Sequence, residues 1–350
     1  MTTTTAPEGH LVVDLAWVVA GPAIGRALAD YGATVVRLES RRRLDAARVI
    51  GPYLGGKPDP QRCGLYDTYN AGKLGLTLNL SMDAGKEVLW DLVRKADVMV
   101  ESFAPGQLAR WGFDWDRLHE VNPKLVLVST SLMGQSGPLK SFAGFGNLGA
   151  AIAGYQALAG QEGELPIGPF GPYTDYVGPR FGLVALLAAL EQRRSTGLGC
   201  WLDVSQAEAG VQFLAPAIAQ TAATGVIAVA NGNRDPQFAP NGVYPCVGDE
   251  WVAIVARSDR EWARAAETMG VQDDAEPTWR TFAGRKGDEQ RLDARVAQWT
   301  QSFTARHVEE VLQRCGVPAH KVASSADLVG GPQLAARGHF VRLPHELGGG

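Results

Sequence analysis

Leu11-Val12-Val13-Asp14-Leu15, then Gly21-Pro22, then Ile24, Ala27, Leu28 and Tyr31, then Gly32 and Thr34-Val35-Val36-Arg37-Leu38 form the stretch whose reading decides the fold. The first apolar run suits a buried strand, and Gly21-Pro22 punctuates it. The next apolar positions recur at helical spacing, Gly32 ends the helix, and the β-branched run after it is a second strand. Working outward, the alternation continues. Leu76-Thr77-Leu78-Asn79-Leu80 is predicted as a strand, Ala84 to Ala96 as a helix and Val98-Met99-Val100 as a strand. A short helix near Trp115 to Val121 then leads to a strand at Leu125-Val126-Leu127-Val128. Strands alternating with helices of this length imply an α/β fold with a parallel sheet covered on both faces.

Beyond it the sequence predicts helix from Ala150 to Leu190, interrupted at Leu165 to Pro172. One more strand is predicted at Trp201-Leu202-Asp203-Val204, with Ser205 to Glu208 as a capping box opening the next helix. Composition shifts near Asn231. Val243-Tyr244-Pro245-Cys246 and Trp251-Val252-Ala253-Ile254-Val255 flank the hairpin signal Gly248-Asp249. Ser258 to Glu261 is a second capping box, followed by helices with charged faces through Cys315. The expected organisation is a large domain over 1–225, a smaller α+β domain over 226–325, and a final stretch over 326–350. Gly348-Gly349-Gly350 stop without a closing element.

Composition excludes several function classes. The 350 residues are 45% hydrophobic and 20% charged, and 33 basic against 37 acidic residues leave a net charge of −4. No basic face tracks a phosphate backbone, so nucleic acid is not an expected partner. Arg41-Arg42-Arg43 is the one short basic run, either a solvated patch or a contact for a ligand's charged tail. Cys63, Cys200, Cys246 and Cys315 are too far apart for a zinc knuckle or a redox pair, and sparse cysteines fit a reducing cytoplasm. Met1-Thr2-Thr3-Thr4-Thr5 has neither region of a signal peptide, and the apolar stretch from Phe181 to Leu190 is too short to span a bilayer. A soluble cytoplasmic protein with no membrane partner is expected.

Familiar motifs fail on context. Gly51 to Lys57 has phosphate-loop spacing, but Pro58 stands where a Ser or Thr hydroxyl is needed. Gly144, Gly146 and Gly149 match a dinucleotide fingerprint, yet a long proline-containing segment separates them from the preceding strand. There is no nucleophile elbow, and the six histidines show no paired metal spacing, so no metal is expected. A covalent mechanism in this chain has to use a carboxylate.

Several segments resemble the family III coenzyme A transferases, which include formyl-, carnitine- and bile-acid-type enzymes. Val13-Asp14-Leu15 with Ala20-Gly21-Pro22, Leu28 to Ala33 and Val36-Arg37-Leu38-Glu39 is similar to the family's opening signature. Asn70-Ala71-Gly72-Lys73, Glu101-Ser102-Phe103-Ala104-Pro105-Gly106 and Ser129 through Gly137-Pro138 are similar to its next blocks. Asp175, ahead of Gly182, Ala185 to Arg194, Gly197-x-Gly199 and Asp203-Val204-Ser205, resembles the block carrying the catalytic aspartate. Gly232-Asn233-Arg234 and Gly242 to Cys246 continue the match, which runs from about residue 11 to 340.

The resemblance implies a Rossmann-like large domain, a small domain, an interlocked homodimer, and a return of the chain to the large domain, of which 326–350 is the start. Asp175 to Phe181 is also similar to members that occur as half of a tandem fusion. It implies transfer of coenzyme A from an acyl-CoA to a carboxylic acid through an anhydride and a thioester on Asp175. The resemblance also implies that no cofactor is bound permanently and that coenzyme A and acyl-CoA are substrates. From the residues alone Asp175, read as sitting just before a helix, reads first as an ordinary capping aspartate, and only the surrounding family blocks reverse that reading. The helix dipole there favours the ionised form. By motif the coenzyme A contacts map onto Val18, Ala20, Lys73, Phe103, Arg110 and Lys140, with Arg41 beside Ser40 where formyl-type members carry arginine, and Val19 in place of a polar residue. Amides of Gly134 to Gly137 or near Asn241-Gly242 are candidate oxyanion donors. The family's glycine-rich flap matches only as Pro236 to Pro240. Phe145 stands where racemases of the superfamily carry histidine, which disfavours epimerisation. A non-catalytic coenzyme A-binding half of a fusion is the reading from another class. Phe142, Phe145, Tyr155, Phe170, Tyr173 and Tyr176 suggest a bulky or apolar acid, or core packing.

Overall fold

The computed structural model describes residues 7–271 and 277–342. The opening Met1 to Thr5, the terminal Gly348-Gly349-Gly350 and the rest of 343–350 lie outside the described residues. The chain divides into two compact units, one ending at Ala230 and the other starting at Asn231.

In the first unit β1 (Leu11–Asp14), β2 (Thr34–Glu39), β3 (Leu74–Thr77), β4 (Val98–Glu101), β5 (Val126–Ser131) and β6 (Trp201–Ser205) form one sheet in the order β3-β2-β1-β4-β5-β6. Every pairing is parallel, from Leu11↔Thr34 at one side of β1 to Val12↔Val98 at the other. The near-continuous apolar runs follow from this, because both faces are covered. Val12, Val98, Val100, Val126 and Val128 pack under the helices Ala20–Asp30 and Tyr173–Thr196, against Ile24, Leu28 and Leu186. Their alternating neighbours Val13, Met99 and Leu127 pack on the other face against Leu89, Val93 and Leu118. Gly182 permits the close approach of the two covering helices, since a Cβ there would meet Ile24 Cδ1 at 2.9 Å. The order reverses between β1 and β4, which opens a crevice beyond the carboxyl ends of the strands.

Two boundaries differ from the sequence reading. β3 lies two residues earlier than its leucine alternation suggests. Pairing with β2 ends at Glu39↔Thr77, Leu78 N still donates to Glu39 O, and Asn79 Oδ1 then turns the chain by accepting from Ser81 N. The helix predicted over 150–190 with an interruption at Leu165 to Pro172 is found as Gly146–Ala153, Tyr155–Leu158 and Tyr173–Thr196, so the interruption starts earlier than expected and ends where expected.

In the second unit β7 (Asn241–Pro245) and β8 (Trp251–Val255) form the expected hairpin, with Gly248 at φ 78° and Asp249 at φ 56°. These left-handed values match the right-handed twist of the strands. A third strand, β9 (Ala319–Lys321), pairs antiparallel with β8. Its three residues were too few to register as a strand in sequence. Helices Asp259–Met269, Glu289–Thr300 and Ala305–Arg314 bury Trp262, Leu292, Val296, Val308 and Leu312 against this sheet. Ser205 and Ser258 cap their helices by accepting from Glu208 N and Glu261 N. The Glu261 carboxylate, however, accepts from Arg257 N. A reciprocal capping box forms instead at Ser324 and Asp327. Among the described residues no helix is long and apolar enough to cross a membrane.

Candidate active site

At the carboxyl ends of the strands, beside the β1–β4 reversal, lies a cleft of ≈ 930 Å³. Trp17, Val18, Val19 and Ala20 enter it from the segment after β1, Ser40, Arg42 and Arg43 from the segment after β2, and Ser102 and Phe103 from the segment after β4. Thr130 to Leu132, Lys140 to Phe145, Asp175 and Gln206 complete the wall.

A buried network of two acids and two bases fixes the segment after β1. Lys73 Nζ donates to Asp14 Oδ2 at 2.7 Å, to Pro22 O at 2.8 Å and to Asn70 Oδ1 at 2.9 Å. Arg37 bonds Asp45 and the carbonyl of Ala16 and lies beside Asp14. Asp14 in turn accepts from Ala16 N, and Asp45 accepts from Val18 N, each at 3.0 Å. Burial pushes the Lys73 pKa down and the Asp45 pKa up, and the ion pairs oppose both shifts. Val18 is held at φ 64°, a left-handed conformation that a β-branched residue adopts only when its surroundings impose it.

On the opposite side, Phe103 packs edge-on against Trp111 at 4.8 Å and against Trp17 at 6.3 Å, while the Arg43 guanidinium lies 5.1 Å from the Trp17 ring centroid. Phe103 N donates to the buried carboxyl of Glu101 at 2.7 Å. Burial pushes Glu101 up to about 7, with hydrogen bonds from Ser129 and Phe103 working against the shift.

Asp175 is the third residue of the helix Tyr173–Thr196, whose N-cap is Pro172. It therefore sits inside the first turn instead of just before the helix, and it is not the cap. Its Oδ2 accepts from Gly146 N at 3.0 Å, and the residue is 6% exposed. Burial pushes its pKa above the ordinary aspartate value, and the Gly146 amide and the Gln206 side chain act in the opposite direction. Desolvation thus outweighs the hydrogen bonds to the carboxylate, and the shift runs opposite to the direction anticipated from sequence. Pro179, four residues on, removes the amide that would bond the Asp175 carbonyl. The glycines of the failed dinucleotide fingerprint find their reason here. A Cβ on Gly146 would lie 2.4 Å from Asp175 N, and one on Gly149 would lie 2.3 Å from Thr174 Oγ1. These glycines let the helix Gly146–Ala153 rest on the turn that carries the aspartate.

Of the residues mapped by motif, Val18, Ala20, Phe103, Lys140 and Asp175 line one cleft. Three cations do not. Lys73 is spent on the interior network, Arg41 is outside the wall formed by Arg42 and Arg43, and Arg110 bonds the Gln107 side chain. Lys73 accordingly has no ammonium face to offer a phosphate. The Gln135 amide is taken by Asp203 at 2.9 Å, so the Gly134–Gly137 turn offers no free oxyanion donor at that position. Asn241 and Gly242 line a groove of the second unit. Ala239 of the Pro236–Pro240 segment is buried in that unit's core. Phe142 and Phe145 line the cleft, but Tyr155, Phe170, Tyr173 and Tyr176 do not. Gly146 and Gln206 went unnoticed in the sequence. Gly146 was hidden in the fingerprint, and Gln206 directly follows Asp203-Val204-Ser205.

The sequence profile of CoA-transferase family III matches residues 8–350. The chain belongs to this family. This transferase is 31% identical over 329 residues to the succinyl-CoA–D-citramalate CoA-transferase of Chloroflexus aurantiacus, covering 93% of the chain and 80% of that relative. It is 30% identical over 338 residues to the acetyl-CoA:oxalate CoA-transferase of Acetobacter aceti, covering 96% and 85%. The crystal structure of a CaiB/BaiF family protein from Brucella suis matches with a TM-score of 0.90 at 26% identity, over 97% of this chain and 90% of that one. The transferase is an enzyme that acts on coenzyme A thioesters and carboxylic acids.

Proposed function

We propose that Asp175 is the nucleophile that carries coenzyme A from an acyl-CoA to a carboxylic acid. One observation supports this above others. The acids on the cleft wall are Glu39 and Asp175. Glu39 is bonded to Arg48 at 2.7 Å and to Tyr66 at 2.7 Å, whereas Asp175 makes no ion pair among the described residues and is hydrogen-bonded by one main-chain amide, at 3.0 Å, and by the Gln206 side chain. A buried carboxylate without a counter-ion is reactive, because ionisation is costly and attack on a carbonyl disperses the charge. Among the described residues no histidine or cysteine stands on that wall, and Phe145, which lines it, is by motif the residue at the place where racemases of the superfamily carry histidine.

Attack of Asp175 on the thioester yields a mixed anhydride and free thiolate. The thiolate then attacks the aspartyl carbonyl, giving an enzyme thioester and releasing the donor acid. The acceptor acid repeats these steps in reverse. Each exchanges bonds of similar energy, so the site must chiefly orient the partners and exclude water. Arg42, Arg43 and Lys140 line the cleft and are proposed to meet the phosphates of coenzyme A, with Trp17 and Phe103 as surfaces for its adenine or pantetheine arm.

The donors and acceptors named for the two relatives define the first acids to assay: succinate, citramalate, acetate and oxalate. Purified enzyme is expected to exchange coenzyme A among a subset of these. Asp175→Ala lowers kcat/KM by about a thousand-fold or more, as loss of a covalent nucleophile does. A variant that exchanges at the parental rate would remove the assignment. The working form is proposed to be a homodimer in a reducing cytoplasm. The exposed apolar residues Phe213, Ile218, Val226, Ile227 and Val229 and the four free cysteines support this.

A further inference from the structure

The hydrogen bond from Gly146 to Asp175 treats the two carboxylate oxygens differently. Oδ2 accepts from Gly146 N at 3.0 Å, and the rotatable Gln206 side chain is the second donor to the carboxyl. The Gly146 donor is a main-chain amide at the first position of an eight-residue helix, and it cannot swing aside. A Cβ on Gly146 would lie 2.4 Å from Asp175 N and 2.5 Å from Pro172 O, so the two backbones touch. The acceptor's backbone is equally fixed, with Asp175 N donating to Pro172 O at 2.9 Å. Exchanging the two oxygens needs rotation about Cβ–Cγ. That rotation breaks a charge-assisted bond to a residue that is only 6% exposed, where water offers little compensation.

We infer that Gly146 makes the oxygens of Asp175 permanently inequivalent: Oδ2 is the retained acyl oxygen and seat of the oxyanion, and Oδ1 is the attacking atom. The inference rests on Asp175 being the covalent nucleophile. Oδ1 attacks the thioester carbon, the carbon–sulfur bond breaks, and coenzyme A leaves as thiolate. The thiolate then adds to Cγ of the anhydride. Negative charge collects on Oδ2, facing the Gly146 N–H, and the Cγ–Oδ1 bond breaks, so the departing donor acid carries Oδ1 away. The acceptor carboxylate adds to Cγ of the enzyme thioester, charge returns to Oδ2, and the thiolate leaves. Finally the thiolate attacks the acceptor's acyl carbon. Its bond to the bridging oxygen breaks, and that oxygen stays on Asp175 as the new Oδ1. One oxygen is replaced in each cycle, and Oδ2 never leaves. An oxyanion donor of this kind contributes about a hundred- to a thousand-fold in rate.

The test uses the native enzyme and succinate labelled with heavy oxygen in all carboxylate positions, in large excess over acyl-CoA in ordinary water. If succinate is not accepted, the fastest acid of the activity assay replaces it. After one turnover and after many, the protein is digested and the peptide containing Asp175 is weighed. The expected result is a mass increase of one heavy oxygen that does not grow with further turnovers. An increase of two heavy oxygens overturns the inference, because the carboxylate then turns over between cycles, while the covalent reading stands. Continuing exchange with no heavy oxygen in that peptide overturns the covalent reading itself.

Discussion

Asp175 shows what one residue's surroundings do to its chemistry. Its carboxyl is buried, so the charged form is disfavoured and its pKa lies above the ordinary aspartate range. A group whose folded pKa is raised contributes stability that is present in acid and lost as pH rises through the folded value. Asp175→Asn is therefore expected to melt above the parent at neutral pH while losing about a thousand-fold or more in kcat/KM, checked by thermal denaturation beside the exchange assay. Glu101 follows the same sign with a defined window. Its ordinary value of 4.5 rises to about 7, so the parent loses stability between these pH values. The loss is on the order of 3 kcal/mol. Glu101→Gln should flatten that part of the stability-against-pH curve, and an unchanged slope would show that Glu101 is not its source. The role proposed for Asp175 is legible in sequence only through its neighbours in the family blocks. Its position in the first turn, and the amide that meets it, depend on how the Gly146–Ala153 helix packs, which no local pattern encodes.

Among elements, the segment between β1 and the helix Ala20–Asp30 shows how motif residues can be structural. Asp14, Asn70 and Lys73 all fall in blocks that resemble the family, and it is the resemblance that assigns Lys73 to a phosphate. In the structure its ammonium closes a buried network with Asp14 that also fixes Ala16 and Val18 at the cleft. Removing one member leaves an uncompensated buried charge, so Lys73→Met is expected to destabilise the fold by about 3–5 kcal/mol in denaturant titrations. Lys140→Ala, on the cleft wall, should leave stability within about 0.5 kcal/mol and raise KM for acyl-CoA. The opposite pattern would return Lys73 to the phosphate. Strand and helix periodicity revealed these elements because both faces of the sheet are buried. It missed β9 and shifted β3, where strands are short or lie at an edge and pairing, not hydrophobic pattern, sets the limits.

For the whole molecule, the strand alternation and the ordered blocks carried the fold class and the family, and the strand order placed the crevice. What sequence did not carry is which cations reach that crevice, since Arg41, Arg42 and Arg43 differ only in where a loop turns them. The homodimer is tested by light scattering on the eluting protein, with a mass of twice 37.3 kDa expected. Ile227→Asp, a charge placed in the exposed apolar stretch, should shift that mass towards one chain. Retention of the dimer would move the interface elsewhere. The central claim remains the covalent aspartate. The most direct measurement is peptide mass spectrometry of enzyme mixed with acyl-CoA and trapped with hydroxylamine or borohydride. The modification is expected on Asp175 and absent from Asp175→Asn; trapping at any other residue, or none during active exchange, contradicts the account.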